Sequence, residues 1–141
     1  MPPTENLPAE ATKYLSIEQV LAGHAKLIER YGGSRGIRDQ GLLESAVFRP
    51  QASAFGQEAY PTLFEKCAVL GYSLIRNHPF LDGNKRTGFA ALHLMLLING
   101  YDLTSSSKEE IAMTENAASG KMRESEIAQW LKQYSKKNPA K

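Results

Sequence analysis

One cysteine, one tryptophan and a net charge of only +2 are the scarcities of this 141-residue chain, and each closes off a class of protein. A lone Cys67 cannot build an internal disulfide framework and fits a reducing compartment. It reads as a small buried hydrophobe on a helix rather than as a reactive thiol. A single domain of this length buries about two thirds of its unfolded surface, so no covalent staple is needed. The charge imbalance is too small to indicate a nucleic-acid partner, and none is expected. Long apolar runs are missing too. The most apolar stretch, residues 89–98, is broken by His93 and falls well short of the roughly 20 residues a bilayer requires, so no membrane partner is expected. Residues 1–13, with Pro2, Pro3 and Pro8, lack both the charged start and the apolar stretch of a signal peptide. They are expected to form a flexible tail on a cytoplasmic protein.

Clean two-residue alternation over the length of a strand is also absent. Every strong periodicity is helical, and the expected fold class is all-α. Ser16 with Gln19 signals a capping box for a helix whose face carries Ile17, Val20, Leu21, His24, Leu27, Ile28 and Tyr31, stopped by Gly32-Gly33. Asp39 can cap a short second helix with Leu42, Leu43, Ala46 and Val47, which Pro50 ends. Residues 51–61 read as loop. A third helix over 62–77 buries Phe64, Cys67, Ala68, Gly71, Leu74 and Ile75 and delivers His78 to the next loop. The stretch 87–99 is apolar nearly all round, which predicts the central helix of a bundle. Ser107 with Glu110 signals a further helix to about residue 119, and a last amphipathic helix holds Ile127, Trp130, Leu131 and Tyr134. No repeat or linker divides the chain.

Against these absences stands one dense loop, His78-Pro79-Phe80-Leu81-Asp82-Gly83-Asn84-Lys85-Arg86-Thr87-Gly88. A loop that feeds a helix presents unpaired backbone N–H groups where the helix dipole adds to nearby cations, a combination that attracts phosphate. Asp82 can hold a divalent cation, since magnesium needs only one or two carboxylates beside phosphate oxygens. The competing role for Asp82 is a helix N-cap. His78 exchanges a proton near neutral pH. Gly83 lets the backbone approach phosphate or adopt positive φ. Asn84 either orients phosphate or closes the turn. Lys85 and Arg86 match the charge of a polyphosphate better than a solvated basic patch. Phe80 anchors the loop in the core. Arg76 either binds nucleotide or pairs with an acid elsewhere. The segment is not a Walker-type loop, because the upstream glycine and the preceding strand are missing and Arg86 separates Lys85 from Thr87. His24 and His93 lie on apolar helical faces without a partner at metal spacing and read as packing residues.

These residues, in this order, resemble the Fic motif, His-Pro-Phe-x-Asp/Glu-Gly-Asn-Gly-Arg-x-x-Arg, and more closely the Doc (death on curing) branch of the Fic/Doc family. Lys85 stands where adenylyl-transferring Fic enzymes have glycine, and Phe89 where they have their last arginine. A second block, Gly36-Ile37-Arg38-Asp39-Gln40-Gly41-Leu42-Leu43-Glu44-Ser45-Ala46, is similar to the upstream block of the same branch. The resemblance implies a Fic/Doc domain over residues 14–136, followed by a basic tail at 137–141. The implied fold is a helical bundle around a buried central helix, with a short extended flap before the motif. The flap, over residues 55–63, would dock a target segment by backbone pairing through Tyr60, Thr62 and Leu63; its alternative is an ordinary surface loop.

The resemblance also implies an activity. It is the toxin of a toxin–antitoxin pair, a kinase that moves a phosphoryl group from ATP to a Ser or Thr hydroxyl of a protein, elongation factor Tu being the family's substrate type, and so arrests translation and growth. His78 is then the general base, Asp82 holds Mg2+, and Gly83, Asn84, Lys85, Arg86 and Arg76 bind nucleotide. Adenylyl transfer is the alternative within enzymes, and a non-catalytic binding module the alternative outside them. Self-inhibited Fic proteins carry Ser/Thr-x-x-x-Glu-Gly/Asn; here Glu115-Asn116 is preceded at that spacing by Ile111. The expected inhibitor is therefore an antitoxin in trans, whose C-terminal segment folds as a helix into a groove near the motif.

Overall fold

Residues 11–139 are described by a computed structural model of the chain. Two helices come first, α1 (Ile17–Tyr31) and α2 (Gln40–Phe48), followed by a short 3-10 turn at Arg49–Gln51. A hairpin of β1 (Ser53–Ala54) and β2 (Gln57–Glu58) precedes α3 (Leu63–Asn77) and α4 (Asn84–Ile98). Then come β3 (Tyr101–Leu103), α5 (Ser107–Ala118), α6 (Glu124–Tyr134) and β4 (Ser135–Lys137). The fold is helical with two small antiparallel ribbons, β1–β2 and β3–β4. Three-residue strands are too short to leave a period-two signature, so sequence alone does not reveal them.

Local chemistry explains where the helices start. Ser16 and Gln19 form the expected reciprocal box on α1, and the Asp39 carboxylate accepts from Leu42 N–H to cap α2. Thr62 and Glu65 do the same for α3. The α5 box sits one residue earlier than its sequence signal: Ser106 pairs with Glu109, while Glu110 accepts instead from the Ser105 hydroxyl. Three consecutive serines ahead of two glutamates offer both registers.

The central helix is α3, not the more apolar α4. Ten consecutive residues, Lys66 to Ile75, are buried, whereas α4 leaves Leu94 exposed and buries mainly the face carrying Thr87, Gly88, Ala91, Leu92, Met95 and Leu96. The two polar members of the α3 run are satisfied. Lys66 Nζ donates to Glu58 Oε1 at 2.6 Å and to the Tyr60 carbonyl at 2.5 Å, and Ser73 Oγ accepts from Arg49 at 2.9 Å. Gly71 and Gly88 face one another where α3 crosses α4. A Cβ on Gly88 would lie 2.9 Å from the Gly71 carbonyl oxygen, so the backbones touch with nothing between them.

Both ends of the described chain are tied down. Lys13, placed by sequence in a flexible tail, exchanges two hydrogen bonds with the Asn99 side chain; the rest of that tail up to residue 10 lies outside the described residues. At the other end Lys137 pairs with Tyr101, and Asn138 N–H donates to the Gly100 carbonyl, so the expected basic tail begins inside a ribbon. Residues 140 and 141 lie outside the described residues. Among the described residues, no helix is long and apolar enough to cross a membrane.

Candidate active site

Helix α3 ends at His78, which adopts the left-handed region at φ 50° and ψ 56°. Such a backbone costs a non-glycine residue about 1–3 kcal/mol and persists only where its surroundings impose it. The surroundings are the second sequence block. Arg38 donates from Nε to the His78 carbonyl at 2.6 Å and from its terminal nitrogen to the Asn77 carbonyl at 2.7 Å. The backbone N–H groups of Arg38 and Asp39 both donate to the Pro79 carbonyl, and Leu81 N–H donates to Gly36. A bridge between Ile37 and Phe80 completes this seam. The upstream block is thus a brace laid along the motif loop, a role its sequence did not disclose because its partners lie about 40 positions away.

The His78 ring has a defined orientation. Its Nδ1 lies 3.1 Å from the Arg76 carbonyl, an acceptor only, so Nδ1 carries a hydrogen and the lone pair of the neutral ring is on Nε2. Asp82 is exposed and held by backbone donors. Its Oδ1 accepts from Gly83 N–H at 3.1 Å and its Oδ2 from Ser34 N–H at 3.2 Å. It does not cap α4; that position belongs to Gly83, at φ 77°. No side-chain hydrogen bond caps α4, so its first-turn N–H groups, at the positive end of the helix dipole, lack a side-chain acceptor. The helix starts at Asn84, three residues before its apolar pattern, so Asn84, Lys85 and Arg86 form the first turn.

The remaining expected ligands separate on inspection. Asn84 is buried and closes the turn: its Oδ1 accepts from Phe80 N–H and its Nδ2 donates to the Phe80 carbonyl, both at 3.0 Å. These two bonds occupy the amide oxygen and one of the two amide hydrogens. Arg76 donates to the Ala118 carbonyl at 2.6 Å, capping the end of α5. Lys85 reaches Glu115 on α5 at 3.0 Å, a pair exposed on both sides and therefore weak. Arg86 lies over the Tyr31 ring at 4.2 Å. The pattern of a self-inhibiting helix is absent from the sequence, yet Glu115 brings a carboxylate to a motif cation.

Tyr60, Thr62 and Leu63, expected to dock a target segment, follow the extended hairpin rather than lie on it. The hairpin is earlier, with Phe55-Gly56 at its turn. Thr62 spends its hydroxyl and N–H on the α3 capping box, Leu63 is already helical, and Tyr60 is bonded by Arg49 and Lys66. These three residues stand at the start of the 15-residue α3 and His78 at its end, a separation of about 22 Å along the axis.

A groove of about 610 Å³ runs beside the first turn of α4, between α1 and α5, with Leu27, Tyr31, Phe89 and Ile111 as its apolar lining and Lys85 and Arg86 as its cations. Tyr31 and Ile111 are 52% and 63% exposed. Cys67, by contrast, is buried without a polar partner, and burial pushes its thiol up. Among the described residues, no three or more His, Cys, Asp or Glu side chains gather into a metal cluster.

The loop between α3 and α4 thus brings together an oriented imidazole, a carboxylate held by two backbone donors and a helix start without a side-chain cap. The sequence signature of the Fic/DOC family matches residues 14–96, and the chain belongs to that family. It is 48% identical to the protein "Toxin Doc" of Mycolicibacterium smegmatis over 94 residues, covering 67% of this chain and 70% of the relative. It is 35% identical to "Protein kinase doc" of Escherichia phage P1 over 120 residues, covering 85% of this chain and 94% of the relative.

Proposed function

We propose that this chain is a Doc-type toxin that phosphorylates a Ser or Thr hydroxyl of a protein, using ATP, with elongation factor Tu as the substrate type. The observation that carries the reading is His78 with Nδ1–H committed to Arg76 and Nε2 free, one loop away from the uncapped start of α4. The name of the phage relative supports the reaction class.

In this mechanism the acceptor oxygen forms a bond to the γ-phosphorus as the bond to ADP breaks, and Nε2 of His78 takes the hydroxyl proton. Base catalysis of this kind is worth roughly a hundred- to ten-thousandfold. The first-turn N–H groups of α4 meet the phosphate charge, and Lys85 and Arg86 can join them by leaving Glu115 and Tyr31. Asp82 fits a divalent cation: its carboxylate is exposed, and two backbone donors leave further lone pairs unused. Mg2+ held there supplies positive charge against the phosphates. Lys85 fills the place of the glycine that makes room in adenylyl-transferring relatives, and Phe89 cannot grip a terminal phosphate, so the γ-phosphorus rather than the α-phosphorus faces the acceptor. Restraint comes from an antitoxin whose C-terminal helix occupies the groove between α1 and α5.

Expression of the chain alone should stop bacterial growth, and His78→Ala should abolish the arrest while keeping helicity. Normal growth with soluble wild-type protein would count against a toxin. With purified elongation factor Tu, Mg2+ and ATP labelled separately at the α- and γ-positions, only γ-label should transfer. Transfer of α-label would establish adenylyl transfer instead, and no transfer to any lysate protein would favour a non-catalytic module.

A further inference from the structure

We propose that His24, on α1, is a positioning residue for Asp82, setting the strength with which the loop holds its divalent cation. This rests on the reading of Asp82 as the cation-holding carboxylate. Nothing in the motif announces His24, which lies 58 positions upstream of Asp82.

Its ring is buried, 5% exposed, and lies flat on Phe80 with centroids 3.8 Å apart and planes 7° from parallel. Its Nε2 is 2.8 Å from the Asp82 carbonyl oxygen. A carbonyl only accepts, so Nε2 carries a hydrogen and donates it. The same ring borders the Gly83 Cα, where a Cβ would lie 3.7 Å from Nε2. The segment after α1 supplies a second hold, from Ser34 N–H to the Asp82 carboxylate. Asp82 is therefore gripped by α1 at its backbone and by the following loop at its side chain. An exposed carboxylate on a loop otherwise samples several rotamers, and each must be given up when a cation binds. Outer partners that orient a ligand residue change metal affinity by about 10–100-fold. Packing alone would be served by a phenylalanine; a buried imidazole whose hydrogen reaches this one carbonyl serves orientation as well.

Two variants separate packing from orientation. His24→Phe keeps a flat ring on Phe80 and removes the donor, while the exposed loop lets water take up the Asp82 carbonyl. His24→Gln keeps a donor and sacrifices the stack. Binding of a non-hydrolysable ATP analogue to the full-length protein is followed by calorimetry, in EDTA and across a Mg2+ titration. His24→Phe should raise the Mg2+ midpoint about tenfold while nucleotide affinity in EDTA stays at the wild-type value. His24→Gln should recover most of the midpoint despite melting earlier. A wild-type midpoint in His24→Phe, or equal loss in both variants, would overturn the proposal. Asp82→Asn run alongside distinguishes the two levels. If it too leaves Mg2+ dependence unchanged, the assignment of Asp82 fails and the role of His24 with it; if only Asp82→Asn responds, the inference about His24 alone fails.

Discussion

Arg38 spends its guanidinium on two carbonyls at the end of α3, and one of them belongs to the proposed base. Removing it in Arg38→Met frees the left-handed His78 to relax. Displacement of a reacting group by about an ångström can cost roughly a hundredfold, so kcat for phosphoryl transfer should fall by that order with little change in KM for ATP in steady-state assays. Thr87 illustrates the opposite case. Its hydroxyl is buried without a hydrogen-bond partner, so Thr87→Val, which removes an unpaired buried group, should raise stability to urea by about 1 kcal/mol. The motif was legible because its chemistry is packed into consecutive residues. His24 and Arg38 were legible only as a packing residue and as part of a block, because their partners are distant in sequence. Asn84 shows the limit of residue type as a guide: an amide can serve a turn or a phosphate, and its turn-closing role is visible only in its two bonds to Phe80.

The helices were legible in their caps and periodicity, but their ranking was not. Apolar composition pointed to α4 as the centre, yet α3 occupies it because Lys66 and Ser73 find partners on the hairpin side and on Arg49. A buried lysine is invisible to a hydrophobicity pattern when its counter-charge comes from another element. Burial works against the Lys66 charge, but Glu58 and Tyr14 outweigh it and hold its pKa above the ordinary value. The hairpin that carries Glu58 stores strain at its tip, where fully exposed Phe55 has φ 55° in a two-residue turn that prefers asparagine. Phe55→Asn should relieve about 1 kcal/mol and raise the melting temperature in a calorimetric scan.

Arg49 ties distant parts of the molecule together, bonding Tyr60, Ser73 and, at 2.6 Å, Glu124 at the start of α6. Burial opposes the Glu124 charge, but its own backbone N–H and Arg49 outweigh this and hold the carboxyl below the ordinary glutamate range. A depressed carboxyl stabilises the fold fully above its unfolded value and loses that contribution as pH falls through the folded one. Melting temperature should therefore drop between about pH 5 and pH 3 more steeply in the wild type than in Glu124→Gln. The crossing of α3 and α4 at Gly71 and Gly88 bears on heat rather than on position. With both stems of the loop in backbone contact, nucleotide meets a surface that is already folded, and its binding carries a small heat-capacity change. A partner helix that orders itself in the groove buries far more apolar area as it folds and carries a large negative one. The two ligands proposed for this chain are thus separable by the temperature dependence of their binding enthalpies, in one calorimeter and on one protein.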